Sequence, residues 1–159
     1  MRLRAGRDDD LTALLALWVA SWREVFPEID FAARRSWFAR HLAELEDAGA
    51  DVTVACADDG RALGFVVFDP ATGVMDQLCV GVDSKGAGVA RALLEAVKRR
   101  APGGVHLTVN KANARAVRFY QREAFEIVGE AVNPNSGLAI WKMVWRLGGA
   151  VTRNREPLH

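Results

Sequence analysis

The chain is poor in the residues that react: two cysteines, one tyrosine and three histidines in 159 residues. Cys56 and Cys79 stand far apart in apolar, strand-like runs. They read as buried reduced thiols, not as a disulfide framework. No cysteine or histidine pair has zinc spacing, so no metal is expected, and His41 and His106 read as bystanders. Charge of one sign is also missing. The 21 basic and 20 acidic residues leave a formal charge of +1, which excludes a basic footprint for nucleic acid and a field for a membrane surface. No apolar run approaches the ~20 residues of a transmembrane helix. The opening MRLRAGRDDD lacks the apolar stretch of a secretory signal, so the expected compartment is the cytoplasm. No repeat, linker or low-complexity tract interrupts the chain.

What is present is a chain that is 50% hydrophobic and 26% charged, enough for a proper core in one domain. That domain is expected over residues 1–148, with 149–159 as a flexible tail. RLRAG at 2–6 reads as a first strand. Asp8 to Asp10 offer a cap and dipole-favoured acids to a helix that follows. Leu11, Leu14, Leu15, Trp18, Val19 and Trp22 recur at helical spacing and stop near Val25–Phe26, before Pro27. A second helix is expected from about Asp30 to about Ala48, with Gly49 closing it. Strands are expected at 52–57, 62–68 and 74–82, with turns at Asp58-Asp59-Gly60 and Asp69-Pro70-Ala71-Thr72-Gly73. A helix over 88–100, a strand at 105–109, a short helix from Asn113 to Glu123 and two strands at 125–131 and 138–146 complete the order. Three hairpin-connected strands followed by a crossover helix predict a mixed sheet with helices on its faces. The last strand, LAIWKMVW, could be core or an interface between two copies.

The run KGAGVARALLEAVKRR, from Lys85, places two glycines where a strand gives way to a helix. Backbone N–H groups there have no intrahelical partner, and the helix dipole favours an anion. Gly86 and Gly88 lack Cβ atoms, and Ala90 is small, so a phosphate can approach the main chain. The Walker pattern fails for want of Gly-Lys-Ser/Thr. The dinucleotide pattern G-x-G-x-x-G fails because Arg91 stands at its third glycine. What fits is [Gln/Arg]-x-x-Gly-x-[Gly/Ala], read through Lys85, Gly86, Ala87, Gly88, Val89 and Ala90.

At this point the chain resembles the GNAT (GCN5-related N-acetyltransferase) superfamily. The resemblance runs through LCVGV at 78–82, the glycine loop, ARALLEAVK, and the downstream block TVNKANARAVRFYQREAFEIVGE. That block matches Asn-x-x-Ala-x-x-x-Tyr-x-x-x-Gly-Phe through Asn113, Ala116, Tyr120, Ala124 and Phe125. The chain departs from the family's patterns at three places. Lys85 stands for Gln or Arg and loses bidentate geometry. Val82 stands for a common proline, and Ala124 for a glycine.

The resemblance implies an α/β (α+β) fold: a mixed, mostly antiparallel central sheet of six or seven strands flanked by about four helices. It implies transfer of an acetyl group from acetyl-CoA to a primary amine by direct attack in a ternary complex. The acceptor would be a small-molecule amine or a protein amino group. Gly86 through Arg91 would hold the pyrophosphate, with Lys85 a cation nearby. The main chain of Leu78, Cys79 and Val80 would pair with the pantetheine arm like an added strand and supply an oxyanion donor. Asn113 would bond the same arm, besides serving as a helix N-cap. Tyr120, the only tyrosine, would protonate the departing thiolate. Asp76 is the expected base, directly or through water. Strand alternation puts Asp76, Leu78 and Val80 on one face and Gln77 and Cys79 on the other. Relatives are often dimers, so a homodimer is possible by resemblance.

Acceptor recognition would fall to the first two helices, the loop between them and the last hairpin, where Trp18, Trp22, Arg23, Glu24, Phe26, Glu28, Asp30, Trp37, Asn133, Asn135, Ser136 and Trp141 stand. Trp18 and Trp22 also read as an ordinary core stripe. Two rival readings remain: a non-catalytic acyl-CoA sensor on the same fold, and a mononucleotide-binding enzyme. Loss of transfer on Tyr120→Phe separates the first rival. Stabilisation by ATP or NAD would mark the second.

Overall fold

A computed structural model describes residues 1–147. The tail expected at 149–159 lies outside the described residues. Seven strands and four α-helices follow in the order β1 (Arg2–Ala5), α1 (Leu11–Val25), α2 (Arg35–Asp47), β2 (Asp51–Cys56), β3 (Ala62–Asp69), β4 (Val74–Val80), α3 (Val89–Lys98), β5 (Val105–Asn110), α4 (Ala114–Arg122), β6 (Glu126–Val132) and β7 (Ala139–Trp145). This matches the expected order. The chain divides into two compact units, Met1–Val97 and a second beginning at Lys98. The strand pairs within each unit are antiparallel.

In the first unit the strands lie in the order β1-β2-β3-β4. Their residues are β-branched and aromatic, and β3 is buried almost throughout, with Phe65, Val66, Val67 and Phe68 each within 1% of full burial. A strand covered on both faces needs such a continuous apolar run. Helix α1 turns Leu14, Trp18 and Val19 inward, and α2 turns Phe38 and Leu42. The indole of Trp18 stacks on Phe38 at 4.6 Å, and Phe38 reaches Phe65 at 6.3 Å. Trp18 is therefore core and not part of an acceptor surface.

Two helix starts differ from expectation. Helix α2 begins at Arg35, not near Asp30. The Asp30 carboxylate accepts from Ala33 N–H and holds a turn instead, so the Pro27–Arg34 stretch stays irregular. Asp10 makes no side-chain cap for α1. Its carboxylate receives both guanidinium nitrogens of Arg4, at 2.7 and 2.8 Å, and the Arg7 N–H at 2.7 Å. That fork ties β1 to the entry of α1.

In the second unit the order is β5-β7-β6. Strand β7 is hydrogen-bonded along both edges, and Ile140, Met143 and Val144 are buried. These apolar residues of β7 lie in the core. Along β5, Val105, Leu107 and Val109 face inward while His106 and Thr108 face out. Both cysteines are free thiols, as expected.

Candidate active site

The loop after β4 is built as its glycines require. Gly86 and Gly88 take φ of +84° and +82°, a region that a side chain makes costly. A Cβ at either position would meet nothing within 4 Å, so the space beside both glycines is open. Among the described residues, the N–H groups of Gly86, Gly88, Val89 and Ala90 have no main-chain acceptor, whereas Ala87 N–H bonds Ser84 and Ala92 N–H bonds Gly88. These donors lie where helix α3 begins. A pyrophosphate fits this cradle: room beside the backbone, donors without acceptors, and a dipole of the right sign. Arg91 follows on the first turn of α3.

Lys85 does not stand free beside the loop. Its ammonium lies 2.8 Å from the Glu24 carboxylate near the end of α1. The cation expected near the phosphate is thus already neutralised from α1.

Strand β4 carries the other expected residues. Leu78, Cys79 and Val80 pair in register with Val66, Phe65 and Gly64. The Cys79 thiol is 4% exposed and pushed up to about 12 by burial, against smaller opposing pulls from the Ser21 hydroxyl and the Lys85 charge. It is inert at neutral pH, so only its main chain can serve a ligand.

Before Leu78 the alternation fails. Val67 faces Gln77 but Phe68 faces Met75, so Asp76 is an extra residue in a β-bulge. Two successive side chains of a bulge can face one way. Asp76 and Gln77 do so: Gln77 Nε2 donates to Asp76 Oδ2 at 3.2 Å. Asp76 thereby turns toward α2, where its Oδ2 lies 2.9 Å from His41 Nε2. Asp76 does not share a face with Leu78 and Val80 to the exclusion of Gln77 and Cys79. The period-two expectation is corrected by the bulge.

His41, expected to be a bystander, is held by contacts at Asp76 and on its own helix. Its ring stacks on Trp37, one turn earlier on α2, at 4.8 Å and 12°. The Trp37–His41 spacing of four residues was a signal available in the sequence; the partner on β4 was not. Trp22 stacks against Phe26 and Phe31 at 6.1 and 5.9 Å, beside the same helices.

The second unit holds Asn113 and Tyr120. Asn113 Oδ1 accepts from Ala116 N–H at 3.2 Å and so caps α4. Its amide nitrogen donates to no described acceptor. Tyr120 is 8% exposed, flanked edge-on by Phe119 and Phe125 at 5.3 and 5.4 Å. Ala124, standing for the usual glycine, takes a φ of +72°. The backbone keeps the glycine conformation although the residue has a side chain. Among the described residues no cluster of three or more His, Cys, Asp or Glu could hold a metal. No described helix is long and apolar enough to cross a membrane.

Comparison with known proteins bears on this geometry. The profile of the acetyltransferase (GNAT) family matches residues 11–125. The chain is similar to the peptidyl-lysine N-acetyltransferase YjaB of Salmonella typhimurium, 30% identical over 138 residues, covering 82% of this chain and 87% of that one. It is 26% identical to the peptidyl-lysine N-acetyltransferase YiaC of Escherichia coli, over 90% of this chain and 95% of that one. Among solved structures, that of apo YjaB from Escherichia coli superposes with a TM-score of 0.72 at 26% identity, over 91% of this chain and 96% of the other.

Proposed function

Since the chain belongs to the acetyltransferase (GNAT) family, and is with it an acyl-CoA-dependent N-acetyltransferase, we propose that its acceptor is the side-chain amine of a peptidyl lysine. The observation that carries the acetyl-CoA part is the open cradle at Gly86–Ala90, with its unpaired N–H groups. The lysine acceptor is supported by the similarity to two proteins named as peptidyl-lysine N-acetyltransferases, each covered over most of its length.

Acetyl-CoA supplies the acetyl group as an activated thioester. Gly86 through Arg91 bind the pyrophosphate through the main chain, and Lys85 contributes a nearby positive charge shared with Glu24. The β4 backbone at Leu78, Cys79 and Val80 holds the pantetheine arm in an extended form and gives an N–H to the thioester oxygen. Asn113 donates its amide nitrogen to the same arm while its oxygen caps α4. Tyr120 donates the proton that the departing sulfur takes up. Asp76 serves removal of the amine's proton.

Thiol release from acetyl-CoA in the presence of a lysine-containing peptide tests this reading. The expected result is turnover that falls at least ~100-fold in Tyr120→Phe, with acetyl-CoA affinity by calorimetry unchanged. A wild-type protein that binds no acetyl-CoA would overturn it. Transfer to small amines but never to peptide lysine would overturn the acceptor alone.

A further inference from the structure

We propose that His41 is the general base of the transfer and that Asp76 is its positioning residue. The proposal rests on the acetyl-transfer reading above and gives the proton of the amine a specific destination.

The argument starts from the bulge. A regular strand would set Asp76 and Gln77 on opposite faces of the sheet. The register shift breaks that alternation, and the Asp76 carboxylate meets His41 Nε2 of α2 at 2.9 Å. A carboxylate accepts and does not donate, so Nε2 carries the hydrogen in the neutral ring and Nδ1 is left with the lone pair. No hydrogen bond engages that Nδ1 among the described residues. The Trp37 indole, stacked at 4.8 Å and nearly parallel, fixes the plane of the imidazole. The ring is therefore held by a carboxylate at one nitrogen and an aromatic face on its side, with its basic nitrogen open. Both side chains are about a quarter exposed, 24% for His41 and 25% for Asp76, so solvent and an amine can reach them. Asp76 itself is occupied by two donors, His41 and Gln77, which suits it to hold a ring and not to take a proton from substrate. The dyad also sits just before Leu78–Val80 on the same strand, the segment proposed to hold the thioester.

The charged surroundings of the ring are simple. From β4 it meets Asp76. On its own helix the nearest charged residues are Arg40 and Glu44, both exposed. On α1, against which α2 packs, Glu24 is engaged by Lys85, and Arg23 is the other charge of the last turn. At the ends of β2 and β3 stand Asp51 and Asp69, and Asp69 accepts from the N–H groups of its own turn.

The step balances as follows. His41 Nδ1 takes a proton from the lysine ammonium and later returns it to solvent. The free amine nitrogen forms a bond to the acetyl carbon, the carbon–sulfur bond breaks, and the sulfur takes the Tyr120 proton. Tyr120 regains a proton from the nitrogen that became the amide.

The test uses the whole protein, acetyl-CoA and a lysine-containing peptide, with His41→Gln, Asp76→Asn and the double variant. Gln keeps a donor for Asp76 but has no basic lone pair. His41→Gln is expected to lower kcat at least ~100-fold while acetyl-CoA affinity and the thermal midpoint stay near wild type. The wild-type acid limb of kcat/KM, where the ring is protonated and cannot accept, should give way in that variant to a rate that keeps rising with pH toward about 10, where lysine loses its proton to solvent unaided. The double variant should lose no more than His41→Gln alone, because the two residues act as one unit. Added imidazole should restore part of the activity of His41→Ala. His41→Gln within ~3-fold of wild type, or an acid limb at the same pH as in wild type, overturns the dyad and leaves the acetyl-transfer reading standing. Absence of acetyl-CoA binding by the wild type overturns that reading, and the dyad with it.

Discussion

The Phe125 N–H donates to the Tyr120 carbonyl at 2.9 Å, and the two rings meet edge-on at 5.4 Å. Between them Ala124 bonds Gln121 at 3.1 Å from a left-handed backbone, φ +72°. This is a Schellman closure of α4, with the hydrophobic contact that accompanies it. It locks the carbonyl end and the ring of the proposed acid in one structure.

Ala124 pays a steric cost for that closure, about 1–2 kcal/mol for a residue with a Cβ. Ala124→Gly should therefore stabilise the protein by about 1 kcal/mol, less the extra entropy of an unfolded glycine. Urea unfolding at equilibrium measures it. Destabilisation would mean that the methyl group packs in a way its exposed position does not suggest.

The glycine loop should separate binding from folding. Gly88→Val puts a Cβ into the open side of the cradle and strains a φ of +82°. Acetyl-CoA affinity should fall at least ~10-fold, for a stability cost of only about 1–2 kcal/mol. Lys85→Ala should weaken binding by no more than ~5-fold, because Glu24 already neutralises the ammonium and the pair is worth at most about 1 kcal/mol. Calorimetry on the two variants ranks them; the reverse order would assign the phosphate to the lysine and not to the backbone.

The Arg4–Asp10 fork predicts an acid transition. Hydrogen bonding from the Arg4 guanidinium holds the Asp10 carboxyl down at about 2, against a desolvation that would raise it. A carboxylate whose pKa is lower in the folded state adds stability that is full above its unfolded pKa, near 4, and lost as pH falls through about 2. Wild type should lose about 2 kcal/mol from this pair across that window, and Asp10→Asn should remove that component of the pH dependence. Denaturant midpoints at pH 2.5 to 6, values about the carboxylate range, check it.

Both thiols should be silent in the native state. Cys56 and Cys79 are 1% and 4% exposed, and burial lifts Cys79 to about 12. A thiol reagent at neutral pH should modify neither until denaturant is added, and then both. Rapid native labelling of Cys79 would show that β4 opens readily.

Much of this protein is determined by the sequence alone, because local signals carry it. Apolar spacing marked α1 and the buried strands. Glycines at a strand-to-helix junction marked the open loop before α3, since only a residue without a side chain takes that backbone conformation cheaply. Asn113, Tyr120 and Ala124 stood out by resemblance to a family motif, and Ala124 even keeps the glycine backbone of the position it fills. What the sequence did not carry was whatever depends on register or on partners distant in the chain. A bulge is one residue of offset between β3 and β4, and no periodicity in either strand announces it, yet it turns Asp76 toward α2. His41 looked isolated because its partner lies 35 residues away. Lys85 looked like a free cation because Glu24 lies 61 residues before it. Short-range pattern specifies which backbone forms; only the folded chain decides which side chains meet, because hydrogen bonds and ion pairs depend on distance in space and not along the chain.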